Sequence, residues 1–260
     1  MASHDGLDLL IRPDEQCVTL TRDNWLIQPL RGHRTSVDDM LVAHHACRQR
    51  SVPRRVLDLG CGLGSVLLMV GWAHRGATLV GVEAQPEHVA YARRNVVLNG
   101  CQGRARIEAG DLRDAALIDS LSRFDLVLGT PPYFDPGAGT MCADPLRAAA
   151  QWELRGGIED YALAAARALS PEGLFVTCAS AEPPKRSIEA FDRASLALRS
   201  RRQVIPRRGK PPFLTLLVGA HTASGSTVEE PPLVLRNLDG TRTRALAEIR
   251  EWFGVPASVR

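Results

Sequence analysis

Two short motifs in this sequence carry residues that could do chemistry, and each follows an apolar segment. Residues 56–65, VLDLGCGLGS, have glycines at 60, 62 and 64 where a strand gives way to a helix. Glycine lets the backbone turn sharply beside a ligand, and a helix start presents free N–H groups. Residues 129–134, GTPPYF, place two prolines after FDLVL, and proline cannot donate to a sheet ladder. This second loop is therefore rigid, and it is either a turn or a reaction centre.

Acidic residues near the glycine loop indicate which ligand it would hold. Dinucleotide enzymes use GxGxxG around a pyrophosphate, whereas this loop reads GxGxG with Asp58 two residues before it. Asp58 would repel a diphosphate, but it would suit a cationic amino group. Glu83 ends the next strand, where a carboxylate can accept both hydroxyls of a ribose, and Asp111 follows the third, near an adenine edge. A nicotinamide site and a structural turn without a ligand are the alternatives.

The elements that must position these motifs alternate along the middle of the chain. Apolar strands such as RVLDL (55–59), TLVGVE (78–83) and FDLVLG (124–129) are separated by segments with helical periodicity. Strands that are apolar throughout and alternate with helices predict an α/β protein with a doubly wound, mostly parallel sheet. Helical stretches are expected at about 114–121 and 146–169.

The pattern changes after Ser180. A helix is predicted around 185–200, followed by strands without intervening helices and a final helix in TRALAEIREWF. Such consecutive strands predict antiparallel pairing at one edge of the sheet. We expect one domain, with residues 1–50 as an N-terminal extension of helix and irregular chain and residues 51–260 as the main body.

Composition predicts a globular, soluble chain. Of its 260 residues 45% are hydrophobic, no apolar run is long enough to cross a bilayer, and the start lacks the pattern of a signal peptide, so we expect a cytoplasmic protein. The six cysteines include no CxxC pair, and the histidines show no ligand spacing, so no metal site is expected. The net charge of +3 identifies no partner.

The glycine loop and its acids resemble the class I S-adenosylmethionine-dependent methyltransferases, over about residues 54–180. That resemblance implies a Rossmann-like sheet of seven strands with an antiparallel edge strand, and S-adenosyl-L-methionine as the cofactor. It implies that the glycine loop holds the methionine part, that the acid after the second strand binds the ribose, and that the acid after the third lies beside the adenine. The cofactor-binding residues expected in this core are Asp58, Gly60, Cys61, Gly62, Gly64, Glu83 and Asp111.

Thr130-Pro131-Pro132-Tyr133 resembles the Asn/Asp/Ser-Pro-Pro-Tyr/Phe motif of amino methyltransferases, and these four residues are the predicted catalytic set. A side-chain oxygen and the first proline's carbonyl would accept the two N–H bonds of a conjugated amine and turn its lone pair towards the sulfonium. Tyr133 would stack on the base. Threonine departs from the family's asparagine, because its hydroxyl reaches less far and accepts more weakly than an amide carbonyl.

Segments outside the core resemble the bacterial tRNA adenine-N6 methyltransferases that modify an adenine next to the valine anticodon. Residues 26–46 resemble that family's N-terminal segment, with Asp38 on its aspartate, and Asp38 is accordingly expected at the cofactor. The resemblance implies tRNA, or another structured RNA, as the partner. A methyltransferase acting on a small molecule or a protein side chain and a non-catalytic RNA-binding protein remain alternatives.

A basic segment with no acidic residue extends from Arg193 to Lys210. Such a cluster is either a solvated face or a contact surface for a phosphate backbone. Given the resemblance to RNA methyltransferases, the candidate phosphate contacts are Arg199, Arg201, Arg202, Arg207 and Arg208.

Overall fold

The computed structural model describes residues 11–49, 52–133, 152–222 and 225–255. Its strands within these ranges are β1 Glu15–Thr19, β2 Trp25–Pro29, β3 Arg55–Leu59, β4 Thr78–Glu83, β5 Ala105–Ala109, β6 Phe124–Gly129, β7 Leu169–Ser180, β8 Ala197–Ile205, β9 Leu214–Ala220 and β10 Val228–Val234. Its helices there are α1 Val37–Gln49, α2 Ser65–Ala73, α3 Pro86–Leu98, α4 Ala115–Ser120, α5 Ile158–Ala168, α6 Pro184–Arg193 and α7 Arg244–Trp252.

One sheet of eight strands forms the centre of the described chain, in the order β10-β8-β9-β7-β6-β3-β4-β5. All neighbouring pairs are parallel except those of β9, which is antiparallel to β7 and β8. The α/β, doubly wound, mostly parallel prediction is confirmed. Two details differ: an eighth strand, β10, pairs with β8, and the antiparallel strand lies inside the sheet rather than at its edge.

Alternate residues of the central strands point into two separate cores. Val56 of β3 and Leu126 of β6 pack with helices α1, α2 and α3, whereas Leu57 and Val127 pack with α4, α5 and α6. Because both faces are covered, the strands need apolar residues at every position. This explains the uninterrupted apolar runs in the sequence.

The hairpin of β1 and β2 is attached to α3 by side-chain amides. Asn95 Nδ2 donates to the Ile27 carbonyl at 3.0 Å and its Oδ1 accepts from the Ile27 N–H at 2.7 Å. Asn99 makes the same pair of bonds with Trp25, both at 2.8 Å. The hairpin therefore lies against the helices that cover the main sheet. The division of the chain at residue 50 into an extension and a main body stays a prediction.

The helix predicted around 185–200 is shorter in the structure. It ends at Arg193, Ser195 has a left-handed φ of +55°, and β8 begins at Ala197. A left-handed residue terminates a helix, which the mixed polar sequence does not reveal. Residues 146–151 of the predicted 146–169 helix lie outside the described residues. Residues 152–157 are not helical, which corrects the prediction, and the helix α5 begins only at Ile158.

Candidate active site

The glycine loop between β3 and α2 passes through three left-handed positions. Gly60, Gly62 and Gly64 have φ of +60°, +54° and +85°. A Cβ on Gly60 would lie 2.1 Å from Tyr161 Oη, and one on Gly62 would lie 3.5 Å from His33 Nε2. Only glycine combines these backbone angles with such close neighbours, so the loop holds its backbone directly against the adjacent space.

Glu83, at the end of β4, is fixed against this loop. Its Oε2 accepts from the Gly62 N–H at 2.9 Å, and its Oε1 accepts from the Gln85 N–H at 2.8 Å. Burial raises the pKa of Glu83, while the bonds from these backbone amides lower it. The carboxylate therefore has a defined position and keeps lone pairs for a ligand.

Asp111, after β5, is already paired with a neighbouring cation. Arg113 Nε and Nη2 donate to its Oδ1 and Oδ2 at 2.9 and 2.6 Å. The hydrogen bond from Arg113 lowers the pKa of Asp111. A ligand N–H at this edge would share the ionised carboxylate with Arg113.

A single cavity gathers much of the predicted site at the carboxyl ends of β3, β4, β5 and β6. The predicted residues among those that line it are Gly60, Gly62, Glu83, Asp111, Thr130 and Pro132. Residues that the sequence reasoning missed also line it: His33, Gln85, His88, Leu112, Arg155 and Tyr161. The predicted ribose and adenine acids thus share one cavity with the Thr130 loop.

Asp58 lies outside the lining of that cavity. It is 1% exposed, and its Oδ2 accepts from the Leu67 N–H of α2 at 3.1 Å. Burial and the charge of nearby Asp39 raise the pKa of Asp58 to about 8. Asp39 itself is bonded to two hydroxyls, those of Ser65 at 2.6 Å and Thr35 at 3.0 Å.

These carboxyl groups provide a test of which ligand fits. Asp58 and Glu83 are buried and Asp38 is half-buried, and the pKa of each is raised, mainly by desolvation. Ionised carboxylates held away from water favour a cationic neighbour. S-Adenosylmethionine carries an ammonium and a sulfonium group, so the residues present fit this cofactor.

The Thr130–Tyr133 loop stands between the first cavity and a smaller second one. Thr130 and Pro132 line the first cavity, and Pro131, Pro132 and Tyr133 line the second. Thr177 Oγ1 of β7 donates to the Gly129 carbonyl at 2.9 Å, which fixes the end of β6. The loop therefore separates a space beside the cofactor residues from a space on the side of β7 and α6.

The far wall of this second cavity is closed by an arginine. Arg186 of α6 donates to Glu153 and Glu159, with distances of 2.7–2.8 Å in both pairs. The hydrogen bonds that Arg186 donates to these two carboxylates raise its pKa. This guanidinium holds residues 153–159 to α6 and gives the cavity a polar wall.

Asp38 contacts the Thr130–Tyr133 loop and does not line the first cavity. The Tyr133 hydroxyl donates to Asp38 Oδ2 at 3.2 Å and lies 3.0 Å from Cys178 Sγ. Burial, together with the charge of Asp39, raises the pKa of Asp38 to about 6. The start of α1 is thereby joined to the tyrosine that was expected to stack on a base.

Other predicted residues also lie away from the first cavity. Cys61 is buried, and its thiol occupies the space beside Gly81, where a Cβ would approach to 2.6 Å. Gly64 caps the start of α2.

The predicted RNA contacts divide into two groups. Arg199, Arg201 and Arg202 belong to β8 and bond to Thr222, Glu229 and the Pro231 carbonyl, respectively. Arg207 and Arg208 follow β8 and are exposed. None of the five lines the first cavity in the described chain.

Two of the lining residues that the sequence did not predict are Tyr161 and Arg155. Tyr161 of α5 fills the space beside both Gly60 and Gly129, where a Cβ would lie 2.1 and 2.6 Å from its side chain. The apolar periodicity of α5 predicts burial for Tyr161 but not its partner. Arg155 precedes α5 in ELRGG, a segment with no sequence signal for ligand binding.

Within the described ranges, no cluster of His, Cys, Asp and Glu side chains is arranged to hold a metal ion. Among the helices described, none has the length and apolarity needed to cross a membrane.

The comparisons with known proteins all indicate the same class of protein. Residues 39–159 match the family model described as a methyltransferase small domain. A tRNA1(Val) (adenine(37)-N6)-methyltransferase of Yersinia pestis is 30% identical over 230 residues, which cover 81% of this chain and 89% of the relative. A protein with the same description from Cronobacter sakazakii is 27% identical over 244 residues, which cover 86% and 96%. The solved structure of a predicted O-methyltransferase from Agrobacterium tumefaciens covers 84% of this chain and 98% of its own, with a TM-score of 0.64 and 19% identity.

Fold, glycine loop and acids define a class I methyltransferase whose cofactor is S-adenosylmethionine. The chain belongs to the methyltransferase family that contains the Yersinia and Cronobacter relatives. It is therefore an enzyme that transfers methyl groups, as the sequence analysis expected.

Proposed function

We propose that this enzyme methylates the N6 amine of an adenine in tRNA. The observation that carries the proposal is the position of Thr130–Tyr133 between two cavities, one lined by the residues we assign to the cofactor and a smaller one lined by Pro131, Pro132 and Tyr133. Both relatives above are described as acting on adenine 37 of a valine tRNA, so adenine 37 is the first substrate to test.

The cofactor, when bound, supplies an electrophilic methyl group on a sulfonium. We assign its binding to Gly60, Gly62, Glu83 and Asp111, which line the first cavity. Glu83 holds the ribose hydroxyls because its oxygens are already oriented by the amides of the glycine loop and of Gln85. Asp58 and Asp38 stand outside the lining, and a cationic cofactor nearby would favour their ionised forms.

The acceptor amine is oriented by the loop after β6. The Thr130 hydroxyl and the Pro131 carbonyl accept its two N–H bonds, so that the nitrogen lone pair points towards the first cavity. The Tyr133 ring, whose hydroxyl is held by Asp38, fixes the plane of the base. No strong general base is required, because the amine proton becomes acidic once the methyl has moved; catalysis is mainly orientation.

The test is methyl transfer from radiolabelled S-adenosylmethionine to unmodified valine tRNA, followed by nucleoside analysis. A transcript with guanine in place of adenine 37 is the matched RNA control. Label in N6-methyladenosine with the first RNA alone is expected. Glu83→Ala should lose transfer, and Arg244→Gln, which changes an exposed side chain on α7, should retain it.

Other outcomes would assign a different methylation site or substrate to the enzyme. Label in N6-methyladenosine from total RNA of a strain lacking the protein, without label in valine tRNA, would keep the chemistry and change the site. Absence of label in any RNA would reject the proposal in favour of a small molecule or a protein side chain, the alternatives that Thr130 raises.

A further inference from the structure

Phe213 is an aromatic residue that the core leaves partly in water. It is 36% exposed, whereas the other phenylalanines of the described ranges are 0% exposed: Phe124, Phe175, Phe191 and Phe253. A ring in contact with water forgoes the free energy that burial would supply. The ring of Phe213 is therefore available to another molecule, and its surroundings indicate which kind.

Phe213 stands at the edge of the sheet that carries the methyl-transfer loop. Ser180, the last residue of β7, pairs with Leu214, the first residue of β9, and the Ala181 N–H donates to the Phe213 carbonyl at 3.2 Å. Because β7 is parallel to β6, Phe213 lies at the edge where the methyl-transfer loop follows β6. Ser180 and Tyr133 both line the second cavity. Phe213 therefore adjoins the wall of that cavity.

The alternation of side chains along a strand places the ring on the same face of the sheet as the second cavity. Leu214 belongs to the core shared with α1, α2 and α3. Successive strand residues point to opposite faces, and the bond from Ala181 continues the pairing to Phe213. Phe213 accordingly faces the side covered by α6, whose Arg186 and Ser187 line the second cavity.

The chain that carries this ring is rigid. Pro211 and Pro212 precede it, and each fixes its own φ. The Phe213 N–H also donates to the Val204 carbonyl at 3.0 Å. A ring held in this way loses little conformational entropy when a ligand binds. Two prolines and an aromatic residue also form residues 131–133, so two rigid aromatic positions share one edge of the sheet.

The turn before these prolines carries positive charge. Arg207, Arg208 and Lys210 are exposed. The Arg208 N–H donates to the Arg236 carbonyl at 2.8 Å and the Lys210 N–H to the Arg207 carbonyl at 2.9 Å, so the turn has a defined conformation. Proteins hold single-stranded nucleic acid by this combination, because cations attract the phosphates and an aromatic ring stacks on a base.

We infer that Phe213 stacks on an unpaired base of the RNA substrate, in a nucleotide next to the one that is methylated. The identity of the RNA rests on the proposed function. Every base has a π face, so this subsite positions the strand and does not select the base. It differs from a phosphate contact, because a stacked ring adds affinity without releasing counterions.

The experiment measures RNA binding by the full chain, without cofactor, over a series of salt concentrations. The probes are valine tRNA and a single-stranded anticodon-loop oligonucleotide with 2-aminopurine at either neighbour of adenine 37, because stacking quenches its fluorescence. Phe213→Ala should weaken binding of both probes roughly 5- to 100-fold, leave the salt slope unchanged and abolish the quenching at one neighbour. Lys210→Gln, which removes a charge from the same turn, should keep the quenching.

Matched variants separate stacking from a structural role of the ring. Phe213→Leu keeps an apolar side chain and removes the π face, so it should lose binding as Phe213→Ala does. Phe213→Trp should bind RNA at least as tightly as the wild type. Leu163→Ala truncates another exposed apolar residue, which lies beside the start of β7 on the opposite edge, and it should match the wild type. All variants should keep their affinity for S-adenosylmethionine.

Three results would reject the subsite, even where valine tRNA is methylated. The first is wild-type affinity and quenching in Phe213→Ala. The second is an equal loss of binding in Phe213→Trp and Phe213→Ala with lowered thermal stability in both, which would make the ring structural. The third is a wild type that binds neither probe, which would favour a protein partner. If quenching depends on Phe213 but no tRNA is methylated, the subsite stands and the proposed substrate is wrong.

Discussion

Thr130 is the residue on which the acceptor chemistry depends most directly. It lines the cofactor cavity at the end of β6, where the amino methyltransferase motif has asparagine, aspartate or serine. Its hydroxyl can accept one hydrogen bond from an amine but reaches less far than an amide oxygen. Thr130 thus lies where the proposed mechanism needs a hydrogen-bond acceptor, and its contribution to catalysis can be measured.

Replacing Thr130 tests this role. Thr130→Val keeps the shape and removes the acceptor, so kcat should fall roughly 10- to 100-fold, the effect of losing one oriented hydrogen bond to a reacting group. Thr130→Asn supplies a stronger acceptor, so activity should persist or rise. The measurement is steady-state methyl transfer, with cofactor affinity as the control. A complete loss in a folded Thr130→Asn would show that the hydroxyl has another role.

At the scale of single residues, the sequence predicted part of the site. Glu83 and Asp111 end neighbouring strands, so the parallel topology alone brings them to one edge, as it does Gly60 and Thr130. The side-chain direction of Asp58 was not predictable, because position on a strand end does not say whether the carboxylate faces the cavity or α2. Arg155 reaches the cavity through long-range packing, which leaves no local pattern.

At the scale of elements, buried acids accumulate where α1, β3 and β4 meet the glycine loop. Asp39 bonds to Ser65, Asp38 to Tyr133, and Asp58 to the amide of Leu67. Each element contributes an acid that is satisfied by hydrogen bonds, but their charges repel in a desolvated region. The stability of the free enzyme against unfolding should therefore depend on pH.

Asp58 makes this sensitivity testable. Its pKa of about 8 in the folded chain is above the unfolded value, so the protonated form contributes stability below about pH 4, and this contribution is lost as the pH rises through 8. Asp58→Asn imitates the protonated form. At pH 9 the variant should be more stable than the wild type by roughly 1–3 kcal/mol, and at pH 5 the two should be similar. Denaturant unfolding without cofactor at both pH values measures the difference.

The exposed Asp119→Asn variant is the control for Asp58→Asn. Its side chain is 52% exposed and pairs with Arg167, so its stability relative to the wild type should not grow between pH 5 and pH 9. If the Asp58→Asn variant is less stable than the wild type at pH 9, the buried charge of Asp58 does not destabilise the folded chain, and the inference is contradicted.

Element boundaries were predicted well where one pattern dominates. β3, β4 and β6 have the predicted limits because their apolar runs end at glycine or glutamate. β10 was harder to foresee, since VEEPPLV has two prolines and two acids. Prolines are tolerated there because β10 is an edge strand and needs few ladder bonds.

For the whole molecule, strand direction decides which arginines share an edge with the active site. β8 is antiparallel to β9, and β9 is antiparallel to β7, so β8 ends at the same edge as β6. Two strands lie between β6 and β8, which places the two strand ends roughly 14 Å apart. Arg207 and Arg208 therefore stand on the same edge of the sheet as the Thr130 loop, where our proposal places the RNA.

The double variant Arg207→Glu and Arg208→Glu should weaken tRNA binding and leave cofactor affinity unchanged. Two lost phosphate contacts would reduce the salt slope by roughly 1 to 2. Arg54→Glu is the matched control, because Arg54 is exposed at the start of β3, on the opposite edge. Equal tRNA affinity of the double variant and the wild type would remove these two arginines from the RNA surface.

The doubly wound, mostly parallel arrangement of the sheet was predictable for a physical reason. Right-handed crossovers between parallel strands leave few arrangements for alternating strands and helices. The N-terminal hairpin was less predictable, because its attachment depends on amides of Asn95 and Asn99 that lie far along the chain.

Tyr161 occupies the space left by two glycines, Gly60 in the cofactor loop and Gly129 before the acceptor loop. An aromatic ring is incompressible, so its width sets the spacing between the two loops. In the proposed mechanism, the distance over which the methyl group travels is therefore set by the packing of α5. Catalytic geometry would in that sense be a property of the core.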